Sequence, residues 1–342
     1  AVSLSRYDIK AELTATPRVG MHRYTFPESE EAAIVIDLEN GGCWDRTTET
    51  YMKAEGDNRI VGYRRSRGWA ADQWVYFVAE FSKPFAQFTL HDPNNMYGRA
   101  HFTTTQGEQI LMKVAISPVS IEGARLAMQT EQPGWDFDAT YQEATRAWDE
   151  ELARIRIETD CERTKRIFYT AMYHTLMAPA LFSDVDGKYR GADGNIYHSD
   201  TPRYTNFSLW DTYRAKQPLM TIIQSERAGQ FVASMVDIFD KQGDLPVWHL
   251  WGNETNCMVG DPAIPVVADA IVKGLKGFDP EHAFEAIKQT AASQERGKEL
   301  RHTYGYIPCN LYNEAIAYDM EYALADGAAA NAAANAFAII AE

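Results

Sequence analysis

The sequence predicts a multidomain β + α chain. An N-terminal antiparallel β-sandwich is expected over residues 1–138, a helical linker over 139–162 and a helical domain over 163–342. Three observations predict it. Short alternating or apolar runs separated by turn residues fill the first 138 positions. Near residue 140 the apolar residues fall instead onto a helical stripe. No β-α-β alternation follows, which argues against a parallel α/β sheet.

The β runs are AAIVIDLE (32–39), RIVGYRRS (59–66), QWVYFVAEF (73–81), FAQFTLHD (85–92) and QILMKVAIS (109–117). Turn chemistry separates them at 39–42, 55–58, 92–95 and 105–109. Many short strands at such spacing are the pattern of a sandwich. At the change-over, Asp138 or Thr140 is placed to cap a helix whose stripe is Tyr141, Ala144, Trp148, Leu152 and Ile155. A second helix follows Asp160, with Ile167, Phe168, Ala171, Met172 and Leu176 apolar and Pro179 near its end. His174 in it reads as an interface histidine. A loop-like stretch rich in Asp, Gly and Tyr then spans 180–217, long enough to suggest a functional loop. Helices are expected at 218–240, 262–276, 280–293 and from about 313. The tail from Ala323 is Ala-rich, which suits a closely packed helix or a departure from natural sequence.

Composition narrows the function classes. Across 342 residues, 45% are hydrophobic and 24% charged, the mix of an ordinary globular protein. The formal net charge of −15 would be repelled by phosphate backbones and anionic lipid, so nucleic acid and membrane surfaces are poor partners. No stretch is apolar enough for a membrane span. The opening AVSLSRYDIK lacks the pattern of a signal peptide and reads as a start after processing or within a protein. Cys43, Cys161, Cys257 and Cys309 form no CxxC, which speaks against zinc-ribbon and thioredoxin chemistry; their pairing is open. Nucleotide-binding glycine loops, HExxH and GxSxG are absent from the sequence.

Two constellations can carry chemistry. In Ser208-Leu209-Trp210-Asp211-Thr212-Tyr213-Arg214, an indole beside a carboxylate suits a sugar subsite. The ring stacks on the apolar face of the pyranose while the carboxylate accepts from vicinal hydroxyls. Equally, Asp211 can cap the next helix and Trp210 can fill core. In Trp248–Gly260, the polar run Asn253-Glu254-Thr255-Asn256 is bracketed by Trp251 and glycines. Glu254 there is expected to be well hydrogen-bonded, hence charged and a hydroxyl acceptor rather than a proton donor. It can also complete a helix cap. A third cluster, Asp184-Val185-Asp186-Gly187 with Asp193, has the oxygen ligands of a calcium loop but not EF-hand spacing, and reads as a solvated turn.

Long blocks then decide. VGMHRYTFPE (19–28), GYRRSRGWAADQWVYFVAEFSKPF (62–85), FYTAMYHTLMAPALFSDVDGKYRG (168–191), FSLWDTYRAKQPLMTII (207–223) and WGNETNCMVGDPAIPVVADAIVKG (251–274), in this order, resemble glycoside hydrolase family 92. The resemblance runs from about residue 15 to 322. It implies calcium-dependent, exo-acting, inverting α-mannosidases, with a β-sandwich, a helical linker and a C-terminal (α/α)6 barrel, the sugar lying between the domains. It places Trp210 and Asp211 on the mannose-binding motif, and Trp251, Asn253 and Glu254 on a motif lining the barrel mouth. The family's acid, base and calcium-ligand motifs are not found here; they are expected downstream, so the chain reads as the front part of such an enzyme. The expectations are therefore an α-mannosidase of α-1,2 type using Ca2+, acting on α-mannosides or N-glycans, and secreted or periplasmic. The alternative is a non-catalytic carbohydrate-binding or scaffold fragment. A third reading, another (α/α)6 enzyme such as a phosphorylase or lyase, is opposed by the WDT and WGNET motifs.

Overall fold

A computed structural model describes residues 1–41, 44–91 and 96–340, with side chains to residue 335. Cys43 and the expected turn at 92–95 lie outside the described residues. The chain divides into two compact units, one formed by Ala1–Arg154 with Phe182–Tyr189, the other by Ile155–Leu181 with the residues from Arg190 onward. The first is antiparallel β with flanking helices and the second is helical. The expected linker, 139–162, runs across the helix that closes the first unit and into the first helix of the second.

Among the described residues the first unit is built on β1 (Val2–Leu4), β2 (Ile9–Ala15), β3 (Val19–Phe26), β4 (Ser29–Asp37), β5 (Arg46–Glu55), β6 (Arg59–Arg67), β7 (Gln73–Phe81), β8 (Gln87–Leu90), β9 (Tyr97–Thr104) and β10 (Glu108–Ser117). One sheet has the order β1-β2-β3-β10-β7-β6-β5 and the other β4-β9-β8. Alternate residues of β7 explain the layering, because successive side chains point to opposite faces. Phe77, Ala79 and Phe81 enter a core shared with Ile34 of β4 and Phe102 of β9. Val78 points the other way, into a second core with Val61 and Ala115. Helix α1 (Ile121–Glu131) covers that second face through Ala124, Ala127 and Met128. Ser120 caps it, accepting from the Gly123 N–H at 3.0 Å. This helix lies inside the span expected to be all β.

Helix α2 (Phe137–Leu152) starts earlier than the cap signals suggested. Asp136 is its cap, accepting from Ala139 N–H at 2.9 Å, while Asp138 pairs with Arg23 at 3.0 Å. Thr140 Oγ1 donates back to the Asp136 carbonyl at 2.9 Å. The buried residues of α2 are Phe137 and Thr140, whereas Tyr141 and Trp148 of the expected stripe are exposed. In α3 (Glu162–Leu176) only Met172 is buried, and His174 is exposed rather than at an interface.

The stretch 180–217 holds short strand pieces and the one-turn helix α4 (Leu209–Thr212). The helix expected at 218–240 is two, α5 (Lys216–Ile223) and α6 (Ser225–Gln242), broken at Gln224. Gln224 leaves helical geometry (φ −143°, ψ 53°), yet its N–H bonds Met220 O at 2.8 Å and its carbonyl accepts Ala228 N–H at 2.9 Å. It thus ends one helix and starts the next. Helices α7 (Ala263–Val272), α8 (Pro280–Ala292), α9 (Lys298–Tyr304) and α10 (Ala315–Ile340) follow, α9 being unexpected. Phe231 and Met235 of α6, Val267 of α7 and Ile287 of α8 build the core. Ala325 and Ala332 of α10 are buried in the same core, so its small residues serve close packing. Asp279 caps α8, accepting from Glu281 N–H (3.0 Å) and His282 N–H (3.4 Å), with Pro280 at the first helical position. Asp279→Ala should lower stability by about 1 kcal/mol in denaturant unfolding, and Asp279→Ser by much less.

Among the described residues no helix is long and apolar enough to cross a membrane. Cys161, Cys257 and Cys309 are free and exposed.

Candidate functional site

The two motifs are joined by a small antiparallel sheet. Strand 207–208 pairs with strand 248–250 (Phe207 with His249, Ser208 with Trp248), which pairs in turn with strand 253–254 (His249 with Glu254, Leu250 with Asn253). The turn of that hairpin is Trp251-Gly252, both left-handed at φ 46° and 81°. A two-residue turn needs this geometry to match the twist of its strands. Glycine adopts it freely, but tryptophan does so against its steric preference. Two neighbours hold it there: the Asn206 Oδ1 accepts from Trp251 N–H at 3.2 Å, and Thr205 Oγ1 accepts from Gly252 N–H at 3.2 Å. Asn253 Nδ2 donates to the Trp251 carbonyl at 3.0 Å. The site loops are thereby tied to one another by strand pairing and by these side-chain contacts to the backbone.

Glu254 is occupied on both oxygens. Its Oε2 accepts from Val247 N–H at 2.8 Å, and Oε1 from the N–H groups of Trp248 (2.9 Å), Thr255 (2.9 Å) and Asn256 (2.7 Å). The expectation of a well hydrogen-bonded Glu254 matches this geometry, but the donors are backbone amides. No helix begins here for it to cap. His249, between the outer strands, is buried, and burial pushes its imidazole down to about 3. It therefore stays neutral at ordinary pH.

Trp210 and Asp211 sit in α4, directly after strand 207–208. Asp211 is exposed, and its carboxylate accepts from the Ser208 hydroxyl within the same turn. It does not cap the following helix, whose flanking residue is Ala215. The Trp210 indole Nε1 is buried without a hydrogen-bond partner. A buried donor without a partner is uncommon.

Behind α4 the chain is anchored to α10. Tyr213 donates to Glu321 Oε2 at 2.6 Å, and Arg214 pairs with the other oxygen while lying 4.5 Å from the Tyr213 ring centroid. Burial, then the Glu321 carboxylate, pushes the Tyr213 hydroxyl upward. Gly260 (φ 75°) passes so close that a Cβ there would lie 2.4 Å from the Glu321 Cβ, so only glycine fits. Lys216 donates to the Ala178 carbonyl, and burial lowers its ammonium to about 8.

Beside Glu254 is a polar cavity of about 380 Å3, lined by residues that include Asp244, Asn256, Asp261, Arg296 and Lys298. Asp261 bridges Lys298 Nζ (2.9 Å) and Arg296 Nη1 (3.3 Å). Arg296 also donates to Gly260 O at 2.8 Å and to Met258 O. Burial raises the Asp244 carboxyl. Apart from Asn256, none of this second ring of residues was singled out from sequence. Arg296 and Lys298 lie in an unremarkable run, and the only hint at Asp261 was its place before Pro262 and a helix. Among the described residues no group of three or more His, Cys, Asp or Glu is arranged to hold a metal ion. Among the described residues, then, no carboxylate cluster of the kind calcium favours is assembled.

The glycosyl hydrolase family 92 N-terminal domain matches residues 1–117, and the family 92 catalytic domain matches residues 123–338. No curated protein sequence matches the chain. Among solved structures, a family GH92 alpha-mannosidase from Bacteroides thetaiotaomicron is 36% identical, with a TM-score of 0.92 over 97% of this chain and 48% of its own. An inverting GH92 mannosidase from strain VPI-5482 of that organism is 25% identical, with a TM-score of 0.85 over 96% of this chain and 48% of its own. This chain thus spans about half the length of the structures it matches. Matches of both family domains, laid end to end over the β unit and the helices that carry the two tied motifs, place the chain in glycosyl hydrolase family 92.

Proposed function

We propose that the chain supplies the mannoside-binding part of an exo-acting α-mannosidase that releases mannose with inversion, with α-1,2-linked mannosides and N-glycans as the substrate class. The observation that carries the reading is the pairing of the Trp210–Asp211 turn with the Trp251–Glu254 hairpin through one small sheet. In support, a related Bacteroides thetaiotaomicron GH92 alpha-mannosidase forms a complex with mannoimidazole. Asp211 offers an exposed carboxylate to vicinal hydroxyls, and Trp210 precedes it in the same helical turn. Trp251, Asn253 and Glu254 shape the neighbouring turn. The helices from α3 onward are proposed as part of an (α/α)6 barrel, and the protein as secreted or periplasmic. Inversion needs an acid and a base carboxyl roughly 6.5–9.5 Å apart, with room for a water. No pair among the residues described is assigned to these roles. Calcium is the cofactor the family resemblance implies.

The test is calorimetric titration of the purified chain with mannoimidazole, with Asp211→Ala as control. The expected result is measurable binding that Asp211→Ala weakens by about ten- to hundredfold, the loss of a charged hydrogen bond worth about 1.5–3 kcal/mol. In a protein that carries the activity, the same change should cut kcat/KM by about two orders of magnitude. No heat with wild type, or an unchanged Kd in folded Asp211→Ala, would overturn the assignment. Binding without mannose release from α-1,2-mannobiose, in a protein that also carries the family's downstream acid and base motifs, would favour the non-catalytic carbohydrate-binding alternative.

A further inference from the structure

The segment Phe182–Tyr189 leaves the helical part of the chain and packs into the β unit. Three contacts seat it. The Val185 side chain joins the apolar cluster of Val19, Val78 and Ala127. Arg18 Nε donates to the Ser183 carbonyl at 2.8 Å, and the same guanidinium pairs with Glu131 at 2.7 Å. The third is Asp184. Its side chain was expected in a solvated turn, but the residue is only 3% exposed. It lies against the first turn of α1, where a Cβ on Gly123 would stand 2.1 Å from its Oδ2. Asp186, two residues on, keeps the expected turn character and pairs with Lys188 at 2.7 Å.

Asp184 is poorly equipped to be charged there. Its Oδ2 accepts from Ser117 Oγ at 2.7 Å, and its Oδ1 is buried without a partner. Ser117 Oγ already accepts from Val119 N–H (2.9 Å) and Ser120 N–H (3.2 Å), so its one proton is free to go to Asp184. The positive end of α1 would favour an anion. Its Gly123 N–H, however, is taken by Ser120. A buried carboxylate with one oxygen unmatched is costly in its ionised form.

We propose that segment 182–189 is a pH-sensitive latch on the β unit, seated while the Asp184 carboxyl is neutral and loosened when it ionises. The groups acting on Asp184 are Asp186, which opposes ionisation, and Arg18 and Lys188, which favour it. Glu131 partly neutralises Arg18, and α1 also carries Glu122, which is exposed, and Arg125, which is paired with Glu55. Burial outweighs them and pushes the Asp184 carboxyl up to about 6. The seated state then holds its proton more tightly than the open one. Seating is strongest below the ordinary carboxylate range and weakens as pH rises through about 6.

Hydrogen exchange on the whole chain, corrected for intrinsic rates, tests this. Protection of residues 182–189 should be about tenfold lower at pH 7.5 than at pH 5, the change a carboxyl raised to about 6 produces. Protection of β7 should not change. Asp184→Asn, which keeps the shape without the charge, should remove the difference. Equal protection at both pH values in wild type, or a loss that persists in Asp184→Asn, overturns the latch. Should that variant not fold, the wild-type pH series alone decides: protection that keeps falling with pH until it levels off near 6 supports the latch, and protection already level above about 5 overturns it. The outcome is independent of sugar binding.

Discussion

Asp261→Asn should destabilise the helical unit by about 3–5 kcal/mol, the largest single effect expected in this chain. Asp261 and Lys298 side chains are each 4% exposed, and Arg296 is 13% exposed. Removing the anion leaves two buried cations. Lys298 retains the Thr290 carbonyl at 2.5 Å, and Arg296 retains Gly260 and Met258 carbonyls, but none of these carries a full charge. The strain falls on the join between the start of α7 and the α8–α9 connection, which also walls the polar cavity. Denaturant unfolding at pH 7 is the measurement. A second variant separates lost attraction from stranded charge. Asp261→Asn with Lys298→Met removes one buried cation along with the anion and should recover a substantial part of the loss, because breaking a buried pair costs more than deleting it. A loss below about 1 kcal/mol for Asp261→Asn would show that water reaches the cluster.

What the sequence disclosed follows the physics of burial. Runs 73–81 and 109–117 coincide with β7 and nearly with β10, because both are central strands covered on two faces and so read as apolar throughout. The edge strand β5, RTTETYMKAE, is missed because only Met52 in it is buried. Helix α1 is missed because its buried face is made of Gly123, Ala124, Ala127 and Met128, three of them too small to register as an apolar stripe. On α2 and α3 the error runs the other way. Tyr141, Trp148 and Ile167 do lie at helical spacing, yet they are exposed in this chain. The site divides similarly. Local chemistry pointed to Trp210, Asp211 and the Trp251–Glu254 run. The pairing of Ser208 with Trp248 is a contact between positions 40 apart, which spacing does not encode. Asp184 shows the limit most plainly: a short Asp-Gly turn signal says nothing of which carboxylate will be buried.

Glu254→Gln tells a loop support from a sugar contact, and the expected effect is about 3 kcal/mol. Four backbone N–H groups converge on its two oxygens, between 2.7 and 2.9 Å. Gln presents one oxygen and one NH2, so at least one amide now meets a donor instead of an acceptor. Each hydrogen bond to a charged group is worth about 1.5–3 kcal/mol, and these four share one carboxylate. In a protein of this size the loss should lower Tm by about 4 °C. Exchange protection should fall at residues 247, 248, 255 and 256 first. Because strand 248–250 also carries strand 207–208, Asp211 should lose its setting too, and mannoimidazole affinity should fall together with Tm. A direct sugar contact gives the opposite split: affinity falls while Tm and amide protection hold. That result would return Glu254 to the substrate-contacting role the family resemblance implies and would require its backbone partners to be released when sugar binds.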